Sequence, residues 1–234
     1  MRAVMQPHFA DGEFAPIYEN QFNLVEPDEA FIARMKKKRP RNRLFFGHFS
    51  FGVHRMLGLD QARYLTLLRD PVQRVDSFFG HVSRDPGSRY YRAIQGGMDL
   101  SKLVLSHLAV ELNNHVVRML LGDARWGVAP ARPGSELHAQ DQLLSPNHLK
   151  IAIDHIERHF TFVGTAERFA DSVSALGRLM HWPAPPPAHD LPHCNCRPDP
   201  PAPLDEKTRR ILADYNALDI ELFQRFSARP FVRC

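Results

Sequence analysis

With 234 residues, 44% of them hydrophobic and 24% charged, the chain has room for one substantial domain and an ordinary globular composition, which excludes disordered and fibrous classes. Its net charge of +4 is modest but is carried by arginine, since only six lysines stand among 30 basic residues. Arginine suits planar, bidentate contact with phosphate, sulfate or carboxylate, and no apolar run approaches the ~20 residues of a membrane span.

Taken in chain order, the first thirty-odd residues read as short helical pieces and loop. Pro27-Asp28 opens a helix with Phe31, Ile32 and Met35 on its apolar side. The run "KKKRPRNR" at 36–43 reads either as a solvated linker or as a rim facing an anion. Leu44-Phe45-Phe46 is a short buried strand ending at Gly47-His48; "ARYLTLLRD" (62–70) is a second and "HFTFVGT" (159–165) a third. Each strand runs into a turn and then a helix, which predicts βαβ units and a mainly parallel sheet.

Asp70 followed by Pro71 is a helix start. Leu100, Leu103, Leu108, Leu112, Val116 and Leu120 predict one long buried helix stopped by Gly122. Ser145-Pro146 opens another, with Leu149, Ile153 and Ile156 inward; Thr165 caps a fourth, striped by Phe169, Val173, Leu176 and Met180. A last helix runs from Asp205 through Ile211, Leu212, Tyr215, Leu218 and Leu222. Between the last two, residues 183–203 hold nine of the 19 prolines and read as an extended surface connection within a single domain, 1–234.

Cys194, Cys196 and Cys234 form no even framework, so a reducing, cytoplasmic compartment is expected. The group His189, His193, Cys194 and Cys196 holds zinc-type ligands, but Cys-x-Cys is not the usual spacing and no second cluster supports it. No metal is therefore assigned. The basic run lacks interleaved aromatics, so no nucleic-acid partner is expected.

In an open parallel sheet, ligands sit outside the carboxyl ends of the strands. His48 and Arg69 occupy such ends. With Pro71 as the first helical residue, Ser77 falls on the second turn, flanked by Arg74 and Phe78. A helix N-terminus, a fixed guanidinium and a hydroxyl together fit an anion, most simply a phosphate. The alternative is local: Arg69 pairs with a carboxylate and Ser77 merely packs or bonds back within its helix. His48 is open in the same way, as a general base or as a histidine bonded to backbone at a strand end.

The stretch "RDPVQRVDSFF" (69–79) resembles the segment of the carbohydrate sulfotransferases, of the heparan-sulfate 2-O/6-O type, that binds the 3′-phosphate of the donor PAPS. The likeness extends to "GHFSFG" (47–52), "ELNNHVVRMLLG" (111–122), "FTFVGTAERFADSVSAL" (160–176) and "YNALDIELFQRF" (215–226), in order along most of the chain. The resemblance implies a P-loop-NTPase-like three-layer α/β fold with a mainly parallel sheet flanked by helices. It implies PAPS as donor co-substrate, PAP as product, and a glycan or other hydroxyl as acceptor. It also implies Arg69 and Ser77 as donor-phosphate ligands and His48 as the base, with His54 the runner-up. Asn195 and Arg197 fall where a family loop closes over the nucleotide.

One family element is not found. No Pro-Lys-x-Gly-Gly-Thr-Ser loop occurs, none of the six lysines follows a proline, and Gly96-Gly97 lies in the wrong context. "MRAVMQPHF" resembles the helix that follows this loop, so the N-terminal strand and P-loop are expected to be missing. Two readings compete: the start is placed too late on a longer functional enzyme, or the chain is a truncated relative, an impaired enzyme or a non-catalytic nucleotide- or glycan-binding remnant. An unrelated kinase-type transferase is disfavoured, because no Walker or Mg²⁺-carboxylate pattern is found.

Overall fold

The structure, a computed structural model, describes residues 1–17, 33, 37, 43–122, 144–183, 191 and 203–233. The three apolar runs expected as strands are strands: β2 (Leu44–Gly47), β3 (Tyr64–Leu68) and β4 (Phe160–Thr165). Two more were not legible, β1 (Phe14–Ile17) and β5 (Phe231–Val232). β1 pairs in parallel with β2, Phe14 opposite Leu44. In a second sheet of order β3-β4-β5, β3 and β4 are parallel and β5 runs antiparallel, Phe231 opposite Val163.

The chain is thus mixed α/β, with helices predominating around one small parallel and one small mixed sheet. The helices bounded among the described residues are α1 (Arg2–Met5), α2 (Val53–Met56), α3 (Pro71–Val82), α4 (Tyr91–Gln95), α5 (Leu100–Leu105), α6 (His115–Leu121), α7 (Pro146–His159), α8 (Phe169–Leu179), α9 (Glu206–Tyr215) and α10 (Ala217–Ser227).

Both faces of the β3–β4 pair are covered. Tyr64, Leu68, Phe160 and Val163 pack with Val117, Ile156 and Leu222 of α6, α7 and α10. Leu65, Leu67 and Phe162 face the other way, onto Val173 and Leu176 of α8 and Val4 and Met5 of α1. A register step sets this division: Tyr64 opposes Phe160 but Leu65 opposes Phe162, so Phe160 and Phe162 sit on opposite faces. Phe162, Val163 and Leu176 are almost fully enclosed, each contributing about 1.5–3 kcal/mol by burial. Phe14, Leu44 and Phe46 of the β1–β2 sheet join the α8 cluster, so the two sheets share a core although, among the described strands, none of one pairs with a strand of the other. A third cluster joins α3, α4, α5 and α9 around Val75, Leu103 and Leu212.

Three helix expectations need correction. The single helix over 100–120 is α5, a 3₁₀ turn at Val110–Leu112, and α6. His107 (φ 56°) and Asn114 (φ 43°) adopt left-handed backbone that ends helical continuity, and Leu108 is 59% exposed. The single last helix is broken at Asn216 into α9 and α10. Thr165 is the last residue of β4 and not a helix cap; its N–H and C=O both bond the Ser172 hydroxyl, at 2.9 and 3.0 Å.

Other boundaries follow the sequence. Asp70 and Asp205 cap α3 and α9 through the N–H groups of Gln73 (2.9 Å) and Thr208 (2.8 Å). Gly122 ends α6 at φ 71°. Most of the 27–35 helix, of the 36–43 run and of the 183–203 connection lies outside the described residues, residues 33 and 37 being helical; Trp182, just before the connection, and Leu191, within it, are buried in the same cluster as Val4 and Met5.

Candidate anion-binding site

The end of β3 is fixed by its neighbour. The Leu68 carbonyl accepts the Ala166 N–H at 2.8 Å, and the Asp70 N–H donates to Glu167 Oε1 at 2.7 Å. Arg69 lies between these two anchors with its side chain exposed. Among the described residues it has neither a carboxylate partner nor a hydrogen-bond acceptor.

Ser77 is half-buried on the second turn of α3. Its hydroxyl makes no hydrogen bond among the described residues, whereas Ser83, further along the same chain, bonds back to the Phe79 carbonyl at 2.6 Å. Among the described residues Arg69 forms no ion pair and Ser77 no back-bond, while Ser77, half-buried, packs within its helix as the local alternative also allows. Both groups have donor capacity to spare.

The helix end contributes less than the sequence suggests. Pro71 has no N–H, Asp70 Oδ1 takes the Gln73 N–H, and the Asp70 carbonyl takes the Arg74 N–H at 2.8 Å. In this first turn only the Val72 N–H is left for a ligand.

Arg74 departs from the sequence reading that set it beside Ser77. It is turned inward: Nη1 donates to the Glu111 carbonyl at 2.8 Å, Nη2 to Asn216 Oδ1 at 3.3 Å, and Nη2 lies 3.9 Å from Asp219 Oδ2. Arg74 ties α3 to the 3₁₀ turn and to α10.

His48 stands exposed one residue beyond β2. Its neighbour is a histidine that was not singled out in the sequence, His115 at the start of α6. Burial, then the charges of Arg74, His48 and Arg118, hold the His115 imidazole down to about 3. His115 Nδ1 is enclosed without a hydrogen bond among the described residues. The charges of both His48 and Arg74 thus reach His115. Arg118 is enclosed, its Nε and Nη2 donating to the Asn113 carbonyl and Oδ1 at 2.9 and 3.0 Å.

His54 occupies a different environment. Its Nδ1 lies 2.5 Å from the Tyr64 hydroxyl, which also accepts the Gly52 N–H at 3.1 Å. The ring is buried, and burial followed by the Arg55 charge lowers its pKa. It anchors the loop before α2.

His189, His193, Cys194, Cys196, Asn195, Arg197 and Cys234 lie outside the described residues. Among the described residues no group of three or more His, Cys, Asp or Glu side chains is placed to hold a metal, and no helix is long and apolar enough to cross a membrane. Compared with the sequences of known protein families and with curated proteins, the chain matches none.

Proposed function

We propose that the chain is a sulfotransferase-type domain of P-loop-NTPase-like architecture that moves a sulfuryl group from PAPS to a hydroxyl, on a carbohydrate. One observation carries this reading. Arg69, just past the end of β3, and Ser77, on the second turn of the α3 that follows, carry a guanidinium and a hydroxyl that no described residue engages. A donor 3′-phosphate matches both in charge and in hydrogen-bonding capacity.

In this reading His48 accepts the proton of the acceptor hydroxyl as that oxygen bonds to sulfur. The bond from sulfur to the bridging oxygen breaks, and PAP leaves with the electron pair. Arg69 and Ser77 hold the 3′-phosphate so that attack and departure stay in line.

Titration calorimetry with PAP tests the site. Arg69→Ala should weaken binding on the order of ten-fold or more, and Ser77→Ala by less. PAP affinity unchanged by Arg69→Ala sinks the assignment.

A second reading is a non-catalytic nucleotide- or glycan-binding remnant of the same fold; residues 1–234 themselves contain no Pro-Lys-x-Gly-Gly-Thr-Ser loop. The lysine of such a loop would stabilise the leaving oxygen, an effect worth ~3 kcal/mol. Residues 1–234 alone are accordingly expected to bind PAP but transfer sulfate poorly. Rapid PAPS-dependent transfer by that chain would remove the second reading.

A further inference from the structure

At the amino ends of β3 and β4 lies a cavity of ≈ 400 Å³, lined among others by Arg55, Arg63, Arg158, Arg233, His159 and Asp60. Arg69 stands beyond the other end of β3, a five-residue strand or roughly 16 Å away. The two regions are therefore separate.

The four guanidinium groups around the cavity are not equivalent. Arg158 is paired through Nε with Asp154 Oδ1 at 2.7 Å. Arg233 Nη1 donates to the carbonyls of Glu157, at 2.8 Å, and Arg158, closing the end of α7. Arg55 and Arg63 are exposed and, among the described residues, have no carboxylate partner. Asp60 is the one carboxylate among the lining residues. The excess positive charge is felt by the histidines: after burial, Arg55 is among the charges that lower both His54 and His159.

We propose that this cavity is a second anion site, in which Arg55 and Arg63 clamp a phosphate or sulfate group carried by a small solution ligand. Two guanidinium forks at the mouth of a cavity with a single lining carboxylate match a tetrahedral oxyanion, which accepts several N–H bonds at once. The volume admits a group larger than the oxyanion itself.

The experiment uses the Arg69→Ala protein, in which the proposed donor site is disabled. Calorimetry in low salt is run with sodium pyrophosphate and, separately, with a sulfated disaccharide. Binding of either probe that weakens on the order of ten-fold with Arg55→Ala, and further with Arg55→Ala/Arg63→Ala, supports the site. The probe that binds tighter identifies the source of the group, nucleotide-like phosphate or glycan sulfate. Both arginines are exposed, so circular dichroism should show the variants folded. Binding of neither probe, or binding indifferent to both substitutions, overturns the proposal. Because Arg69 is absent throughout, failure here is distinct from failure of the donor site.

Discussion

Asn114 and Asp219 cap each other's helices. The Asp219 carboxylate accepts the Val116 and Val117 N–H groups, at 3.0 and 2.9 Å, at the start of α6. Asn114 Oδ1 accepts the Leu218 and Asp219 N–H groups, at 2.9 and 3.1 Å, at the start of α10. Asn216 locks the pair, accepting the Asn114 N–H at 3.1 Å and donating to the Leu112 and Leu212 carbonyls at 2.9 Å each. Asp219→Ala should cost about 3–5 kcal/mol, since it strands two helix N–H groups and leaves the buried Arg74 without its carboxylate. Asn114→Gly should cost less than Asn114→Ala, because Ala at φ 43° adds about 1–2 kcal/mol of left-handed strain to the lost cap. Urea unfolding measures both, and equal losses for Gly and Ala would count against the backbone argument.

His115 makes folding pH-dependent. It titrates at 6.5 when unfolded but at about 3 in the fold, so between these values the unfolded chain holds more protons. The contribution is complete above pH 6.5 and is lost as pH falls towards 3. The slope reaches at most about 1.4 kcal/mol per pH unit. His54 and His159, also lowered, act in the same direction. His115→Gln should flatten part of the fall in unfolding free energy between pH 7 and pH 5; an unchanged slope would contradict it.

Arg69 and Arg74 should separate binding from stability. Arg69→Ala removes an exposed side chain without a described partner, and should leave unfolding within about 0.5 kcal/mol of the parent. Arg74→Ala should destabilise by about 3 kcal/mol or more, because the Glu111 carbonyl and Asn216 Oδ1 lose their donor and the buried Asp219 carboxylate loses its cation. A parent-like melting temperature for Arg74→Ala would refute the tie between α3 and α10.

Two glycines are fixed by close approach. A Cβ on Gly164 would lie 2.7 Å from both Ser172 Cβ and Oγ, inside the β4–α8 contact. Gly164→Ala is expected to cost about 1–3 kcal/mol. A Cβ on Gly122 would meet the Phe51 carbonyl oxygen at 2.1 Å, in backbone that already disfavours side chains. Gly122→Ala should be the worse of the two, and the reverse order in thermal melts would overturn this comparison.

The parts of the fold that were legible are those set by local pattern. Leu44-Phe45-Phe46, Tyr64–Leu68 and Phe160–Thr165 announce strands by apolar runs, and Asp70-Pro71 announces a helix by capping chemistry. β1 was hidden because Pro16 sits inside it, and β5 because two residues become a strand only through pairing with β4. The broken helices were hidden for a related reason. The apolar period runs on past Asn114 and Asn216, while the breaks depend on partners 102 residues apart. In the candidate site, the strand-end positions of His48 and Arg69 were legible. The inward turn of Arg74 and the burial of His115 were not, because each depends on residues of α10 or the α6 start.

The separation of the two sheets has a mechanical consequence. His48 rides on β2, whereas Arg69 and Ser77 ride on β3 and α3, and among the described strands none of one sheet is paired with a strand of the other. Phe14, Leu44 and Phe46 of one sheet and Leu65, Leu67 and Phe162 of the other belong to the same apolar cluster. Close-packed side chains transmit a change of volume to their neighbours. The spacing between proposed base and proposed phosphate anchor therefore depends on the volume of a few buried rings. A displacement of ~1 Å can change a rate about a hundred-fold, so trimming Phe46 would retune the site without touching any polar group in it.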